Sequence, residues 1–152
     1  MNTRNRTHVV ITLTVAADQL YKTRNPKRRD LDSCCSLSDN NNGSQGNRTI
    51  HYFQSDVYAN YTVRWVGVVK DPNGQDQGYT IAITGIRNKS KKIFANLKLK
   101  GTRGKFGTVC ETAKHDIGNK KDTYTITFKI YPPNTRSIKK ELRIDPKLQG
   151  NN

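Results

Sequence analysis

Tyr61-Thr62-Val63-Arg64-Trp65-Val66-Gly67-Val68-Val69-Lys70, followed at once by Asp71-Pro72-Asn73-Gly74, is the stretch from which the fold can be read. At the two-residue strand period Tyr61, Val63, Trp65, Gly67 and Val69 share one face, and Thr62, Arg64, Val66, Val68 and Lys70 share the other. The first set is a core face. Its largest member is the only tryptophan of the chain, the side chain able to remove the most apolar area from water. Asp-Pro-Asn-Gly then ends the strand, because proline presets φ and Asn-Gly accepts a tight reversal.

The same alternation recurs on both sides of this strand. His8–Val15 puts Val9, Ile11, Leu13 and Val15 inward, and Ala16–Tyr21 reads as a short helical turn or an irregular strand exit. Thr123–Tyr131 has the clearest pattern, with Tyr124, Ile126, Phe128 and Ile130 opposite Thr123, Thr125, Thr127 and Lys129. Further strands are expected at Thr49–Phe53, Gly78–Ile86, Ile93–Lys100 (Ile93, Ala95, Leu97 and Leu99 inward, Lys98 and Lys100 outward) and Phe106–Cys110. A last one, Ser137–Ile144, carries Ile138, Leu142 and Ile144 inward, forms a hairpin with its predecessor and is stopped by Asp145-Pro146, since proline cannot donate to a ladder. About eight strands with such turn spacing predict a single all-β domain over 1–152: an antiparallel β-sandwich of immunoglobulin-like, Greek-key layout, with a small β-barrel as the alternative. Residues 22–48 turn polar, through Asn25–Asp30, Ser33–Ser36 and Asp39–Ser44, and read as one long loop.

Bulk composition points to the surface. The chain has 152 residues, 27 Lys+Arg against 12 Asp+Glu and a formal net charge of +15. Its pI is about 10.0 and its mean hydropathy −0.84. Such a surface attracts nucleic acid, anionic headgroups or acidic polysaccharide, or else only keeps the protein soluble. Arg87 to Lys105 is the strongest candidate: it holds Arg87, Lys89, Lys91, Lys92, Lys98, Lys100, Arg103 and Lys105 and no acid. Arg24, Lys27, Arg28 and Arg29 form a second cluster, and Lys139, Lys140, Arg143 and Lys147 a third. Should the three share a face, they would make a polyanion-binding patch, nonspecific because lysine attracts as a point charge and no aromatics are interleaved.

Catalysis finds no support. His8, His51 and His115 stand far apart and outside any nucleophile or metal motif, and the carboxylates lie mostly in loops. Gly101-Thr102-Arg103-Gly104-Lys105 lacks the spacing of a phosphate-binding loop and precedes a strand. Cys34, Cys35 and Cys110 offer no Cys-x-x-Cys pair; free thiols are expected, with a Cys110 link to Cys34 or Cys35 left open. No cofactor and no metal are implied. Carbohydrate binding would need exposed aromatics, for which Phe53, Tyr58 and Tyr131 are the candidates. The sequons at Asn5, Asn42, Asn47, Asn60 and Asn88 read as coincidence in an Asn-rich chain. His8–Val15 is interrupted by threonines and reads as a strand, so neither a secretion signal nor a transmembrane run is evident, and a cytoplasmic protein is expected.

The ending Tyr124-Thr125-Ile126-Thr127-Phe128-Lys129-Ile130, then Arg143-Ile144-Asp145-Pro146-Lys147-Leu148-Gln149-Gly150-Asn151, resembles small uncharacterised bacterial β proteins that also carry a strand like Trp65–Val69 before a Pro/Gly turn. Their layout is similar in turn to the AidA/PixA family of bacterial inclusion-body proteins. The resemblance implies a cytoplasmic β-sandwich that accumulates in the cell and has no established enzymatic activity, and a non-enzymatic binding or self-assembling protein is expected. It supplies no functional residue.

Overall fold

The computed structural model describes residues 6–41, 43, 49–134 and 139–152. Among these residues ten strands, two short helices and one 3₁₀ turn follow in the order β1 (Val9–Val15), α1 (Ala17–Lys22), α2 (Arg28–Cys34), β2 (Cys35–Asp39), the turn Ile50–Tyr52, β3 (Gln54–Tyr58), β4 (Thr62–Val69), β5 (Thr80–Asn88), β6 (Lys98–Lys100), β7 (Val109–Thr112), β8 (Lys121–Tyr131), β9 (Lys140–Ile144) and β10 (Lys147–Asn151). They build two facing sheets, ordered β2-β1-β4-β7 and β3-β10-β8-β5-β6, with β9 also beside β8. The all-β sandwich expected from the alternation is there. Its sheets are mixed, however: β1 pairs with β4 and β3 with β10 in parallel. Alternation reports which face a residue occupies and is silent on strand direction, which the crossovers decide.

Where alternation is strict the burial follows it. β1 alternates buried and half-buried along its whole length, and β8 does so from Asp122 to Tyr131. Trp65 on β4 is 1 % exposed, and its indole N–H donates to the Tyr124 hydroxyl on β8 at 3.1 Å. Its ring meets those of Tyr124 and Phe94 at centroid distances of 5.6 and 5.8 Å. One indole therefore ties the two layers together through packing and a satisfied donor. On the same face Gly67 is required by space: a Cβ there would lie 2.5 Å from Cγ2 and 3.0 Å from the backbone oxygen of Ile81 on β5.

Four expected elements are corrected and one strand is added. Residues 22–48 are not one loop, because α2 and β2 occupy 28–39: Asp30 caps the α2 entrance by accepting from the Lys27 amide at 2.8 Å, and β2 pairs with β1. Thr49–Phe53 is a 3₁₀ turn rather than a strand, ended by the Phe53 amide on the Ile50 carbonyl. Within Ile93–Lys100 only Lys98–Lys100 pairs; Ile93 and Phe94 are both buried in an irregular segment, while Ala95 and Leu97 are exposed. Phe106–Cys110 starts too early, since Phe106 is 71 % exposed and β7 begins at Val109. Asp145-Pro146 does end β9, but β10 resumes at once. Both keep one register against β8, which places Asp145 opposite Thr125. Ile138 and the sequons at Asn5, Asn42 and Asn47 lie outside the described residues.

Candidate functional site

The outward face of the second sheet is built by register. On β8 the residues turned away from the core are Lys121, Thr123, Thr125, Thr127, Lys129 and Tyr131, because Asp122, Tyr124, Ile126, Phe128 and Ile130 are buried. Across from Thr125 stands Arg87 of β5, and across from Arg87 stands Lys98 of β6. Lys100 is paired with Gly85, one step along the same face. On the other flank Lys147 of β10 is opposite Thr123.

Over this face opens a cleft of about 590 Å³, lined by Arg28, His51, Arg87, Lys89, Thr125 and Lys147 together with Asn88, Leu97, Thr123, Tyr124 and Asp145. Its four lysine and arginine side chains come from all three basic clusters of the sequence. Arg28 is brought in at the start of α2, where its guanidinium meets Nδ1 of His51. The same His51 nitrogen lies 2.8 Å from the Thr49 hydroxyl. A second hollow, about 460 Å³, shares Lys89, Thr123 and Lys147 and adds Lys92 and Lys121. A third, about 260 Å³, shares Arg28, His51 and Asp145 and adds Asp32 and Arg143. The three share lining residues, so their cations lie along one stretch of surface, with Asp145 and Asp32 among them.

The expected patch thus divides. Arg87 and Lys89 line the cleft, Lys92 the hollow beside it, and Lys98 and Lys100 extend the same sheet face. Lys91, Arg103 and Lys105 line none of the three. The carbonyl of Lys91 accepts from Lys114 Nζ at 2.6 Å, and Lys105 Nζ stands 5.3 Å from the Phe106 ring centroid. Of the other clusters, Arg24, Lys27 and Arg29 stay outside the cleft. Lys140 is a structural residue: its ammonium donates to the carbonyls of Leu20, Tyr21 and Thr23 at the end of α1, and burial lowers its pKa. Sequence reasoning missed His51, Lys121 and Asp145. The period-two pattern would have found Lys121 on the outer face of β8; His51 and Asp145 depend on how α2 and β10 dock.

Other chemistries have little to work with. Among the described residues no group of three or more His, Cys, Asp or Glu could hold a metal ion. His8 meets the Thr62 hydroxyl at 2.8 Å and His115 is exposed. The three cysteines are free, Cys34 and Cys35 buried and Cys110 exposed. Burial pushes the Cys35 thiol up to about 12, which removes it as a nucleophile at neutral pH. Of the aromatics proposed for carbohydrate, Phe53 is 0 % and Tyr58 3 % exposed, because both point into the core that the 3₁₀ turn closes. Tyr131 is half-buried, with Lys139 Nζ 5.0 Å from its ring centroid. No helix among the described residues is long and apolar enough to cross a membrane.

Among the described residues one stretch of sheet edge is left open. β7 pairs with β4 only from Thr62 to Trp65. The Lys70 amide donates to Val15 and the Tyr61 carbonyl accepts from Ala113, so even-numbered residues of β4 face β1 and odd-numbered ones face β7. Gly67 and Val69 therefore turn their backbone groups toward a hollow of about 330 Å³ that Phe106 and Val68 border. Phe106 is 71 % and Val68 43 % exposed.

No protein-family model matches the sequence, and no curated protein is similar to it. Among solved structures the chain is similar to the crystal structure of an inclusion body protein (PixA) from Burkholderia cenocepacia J2315, with a TM-score of 0.64, 99 % of each chain covered and 8 % sequence identity. At that identity the likeness is one of fold, and it shows a PixA-like sandwich along the whole chain.

Proposed function

We propose that this chain is a non-enzymatic binding protein that holds a polyanion, nucleic acid or acidic polysaccharide, along the outer face of its second sheet. The observation that carries the reading is the convergence of Arg28, Arg87, Lys89 and Lys147, drawn from three separate parts of the sequence, on one cleft. Charge spread only for solubility has no reason to converge. Two of the four are arginines, able to grip a phosphate or sulfate with two parallel hydrogen bonds. A cytoplasmic place of action agrees with this reading, and the C-terminal motif together with the PixA-like fold supports kinship with the AidA/PixA-type proteins.

The test is a filter-binding titration of a labelled polyanion over a series of salt concentrations. The triple variant Arg28→Ala/Arg87→Ala/Lys147→Ala should lower the slope of log affinity against log salt by about 1 for each phosphate that is no longer neutralised. A control triple of equal charge, Lys91→Ala/Arg103→Ala/Lys105→Ala, should keep most of the slope. Equal reductions in the two would mean that the charge acts diffusely and that the cleft is not the site.

The open edge favours a second reading, self-association, in which a copy's strand adds to Gly67 and Val69 while Phe106 and Val68 cover its side chains. Sedimentation equilibrium decides it. Concentration-dependent mass should vanish in Val68→Lys/Phe106→Lys, and a wild-type chain monomeric at all concentrations would exclude the reading.

A further inference from the structure

A cleft meant for bare anions should present cations and hydrogen-bond donors alone. This one has a carboxylate in the middle of its lining. Asp145 sits opposite Thr125, accepts a hydrogen bond from that residue's hydroxyl on Oδ1 at 2.7 Å, and makes no ion pair with the surrounding cations among the described residues. A carboxylate has about four acceptor positions on its two oxygens, so the Thr125 bond leaves capacity unused. The adjoining hollow repeats the mixture. It joins Arg28, His51 and Arg143 to Asp145 and Asp32, and one buried oxygen of Asp32 has no hydrogen-bond partner.

Phosphodiesters and sulfates are acceptors at neutral pH. They cannot donate to Asp145 and are repelled by it. A ligand that carries hydroxyls beside its phosphate turns the same carboxylate from an obstacle into a contact. Tyr52, 47 % exposed, flanks the cleft: its ring lies 4.4 Å from that of His51, and Lys147 Nζ stands 5.5 Å from its centroid. A flat base can stack there beside the cations.

We infer that the cleft selects ribose phosphate: phosphate on Arg28, Arg87, Lys89 and Lys147, and a sugar hydroxyl donating to Asp145. The inference rests on the polyanion reading of the same cleft and narrows it to a ligand class, single-stranded RNA or a free ribose phosphate. DNA offers the phosphate without the 2′-hydroxyl, and polyphosphate offers no hydroxyl donor in its chain.

The experiment compares a single-stranded RNA, the DNA of the same sequence and polyphosphate at one fixed salt concentration, by filter binding and calorimetry. The full chain and two variants, Asp145→Ala and Asp145→Asn, are used, and circular dichroism verifies their folding. RNA should bind the native chain about fivefold more tightly than DNA, the worth of about one net hydrogen bond. In Asp145→Ala the preference should vanish, because DNA and polyphosphate bind better once the charge is gone. Asp145→Asn should keep RNA binding, since the amide oxygen still accepts, while DNA binding rises. Competition with ribose 5-phosphate and its 2-deoxy analogue separates the two sources. Displacement by the ribose form alone assigns the preference to a single sugar phosphate, whereas displacement only by RNA assigns it to the polymer; both support the inference. Equal binding of RNA, DNA and polyphosphate with a steep salt dependence would overturn it and leave the polyanion reading standing. No binding of any of these ligands would overturn both.

Discussion

Tyr124 and Thr125 are neighbours on β8 and belong to different worlds. Tyr124 is 2 % exposed and holds the Trp65 indole; Thr125 faces the cleft, between Arg87 and Asp145. Inward, a residue is judged by volume and by whether its polar atoms are satisfied. Outward, it is judged by charge and by what it leaves room for. The strand teaches that here core and cleft are separable by parity, with even side chains packing between the layers and odd ones turned to the cleft face.

The hardest blow to that separation is Trp65→Ala. It should cost about 3–5 kcal/mol in urea unfolding followed by circular dichroism, from the burial forfeited plus the cavity left behind. A loss under about 1 kcal/mol would mean that the indole is not the joint between the sheets. Tyr124→Phe is the finer cut. It leaves the indole N–H buried without its acceptor and should cost about 1–3 kcal/mol. Neither change should alter the salt dependence of polyanion binding in the fraction that stays folded.

Alkaline pH probes the inner face as well. The Cys35 thiol rises from 9.0 to about 12 and the Tyr79 phenol from 10.0 to about 12, both chiefly through burial. For each, the unfolded chain releases its proton first. The stability these groups contribute is whole below pH 9.0 for Cys35 and below pH 10.0 for Tyr79, and it is lost as pH climbs toward about 12. For Cys35 the limiting slope is about 1.4 kcal/mol per pH unit, and the partly exposed Tyr79 phenol contributes less because solvent screens it. Cys35→Ala should therefore move the onset of alkaline unfolding from the thiol range to the phenol range. An unchanged onset would refute the assignment.

The smallest expected effect belongs to the outer face. Arg87→Ala should shift stability by no more than about 0.5 kcal/mol while reducing polyanion affinity, since its side chain is exposed. A large stability loss would show that parity does not separate the two roles.

Much of the inner face was legible. β1, β4 and β8 could be read because each has a partner on both sides for part of its length and a core on one face, so period two survives along β1 and β8 and up to Trp65 in β4. α2 was not, since Arg28-Arg29-Asp30-Leu31-Asp32-Ser33-Cys34 has no apolar stripe and owes its helix to Asp30 at the entrance and to docking. β2 did leave a trace: Cys35 and Leu37 are buried while Ser36 and Ser38 are exposed, a short alternation submerged in polar sequence. Ile93–Leu97 misled, because adjacent Ile93 and Phe94 are both buried where the chain does not pair. The basic residues of the cleft were nearly all named in advance, yet their meeting was not readable. It depends on Arg28 arriving beside His51 and on β9 and β10 keeping one register across Pro146.

That register has an optical corollary. Tyr124 lines the cleft, gives its amide to the Pro146 carbonyl at 3.0 Å beside Asp145, and with its hydroxyl holds the indole of Trp65. Because the chain has a single tryptophan, its indole fluorescence comes from one address, a hydrogen bond away from the wall of the cleft. The protein thus carries its own lamp beside the cleft, and a shift of its emission on adding a polyanion would test the proposed site without attaching a dye.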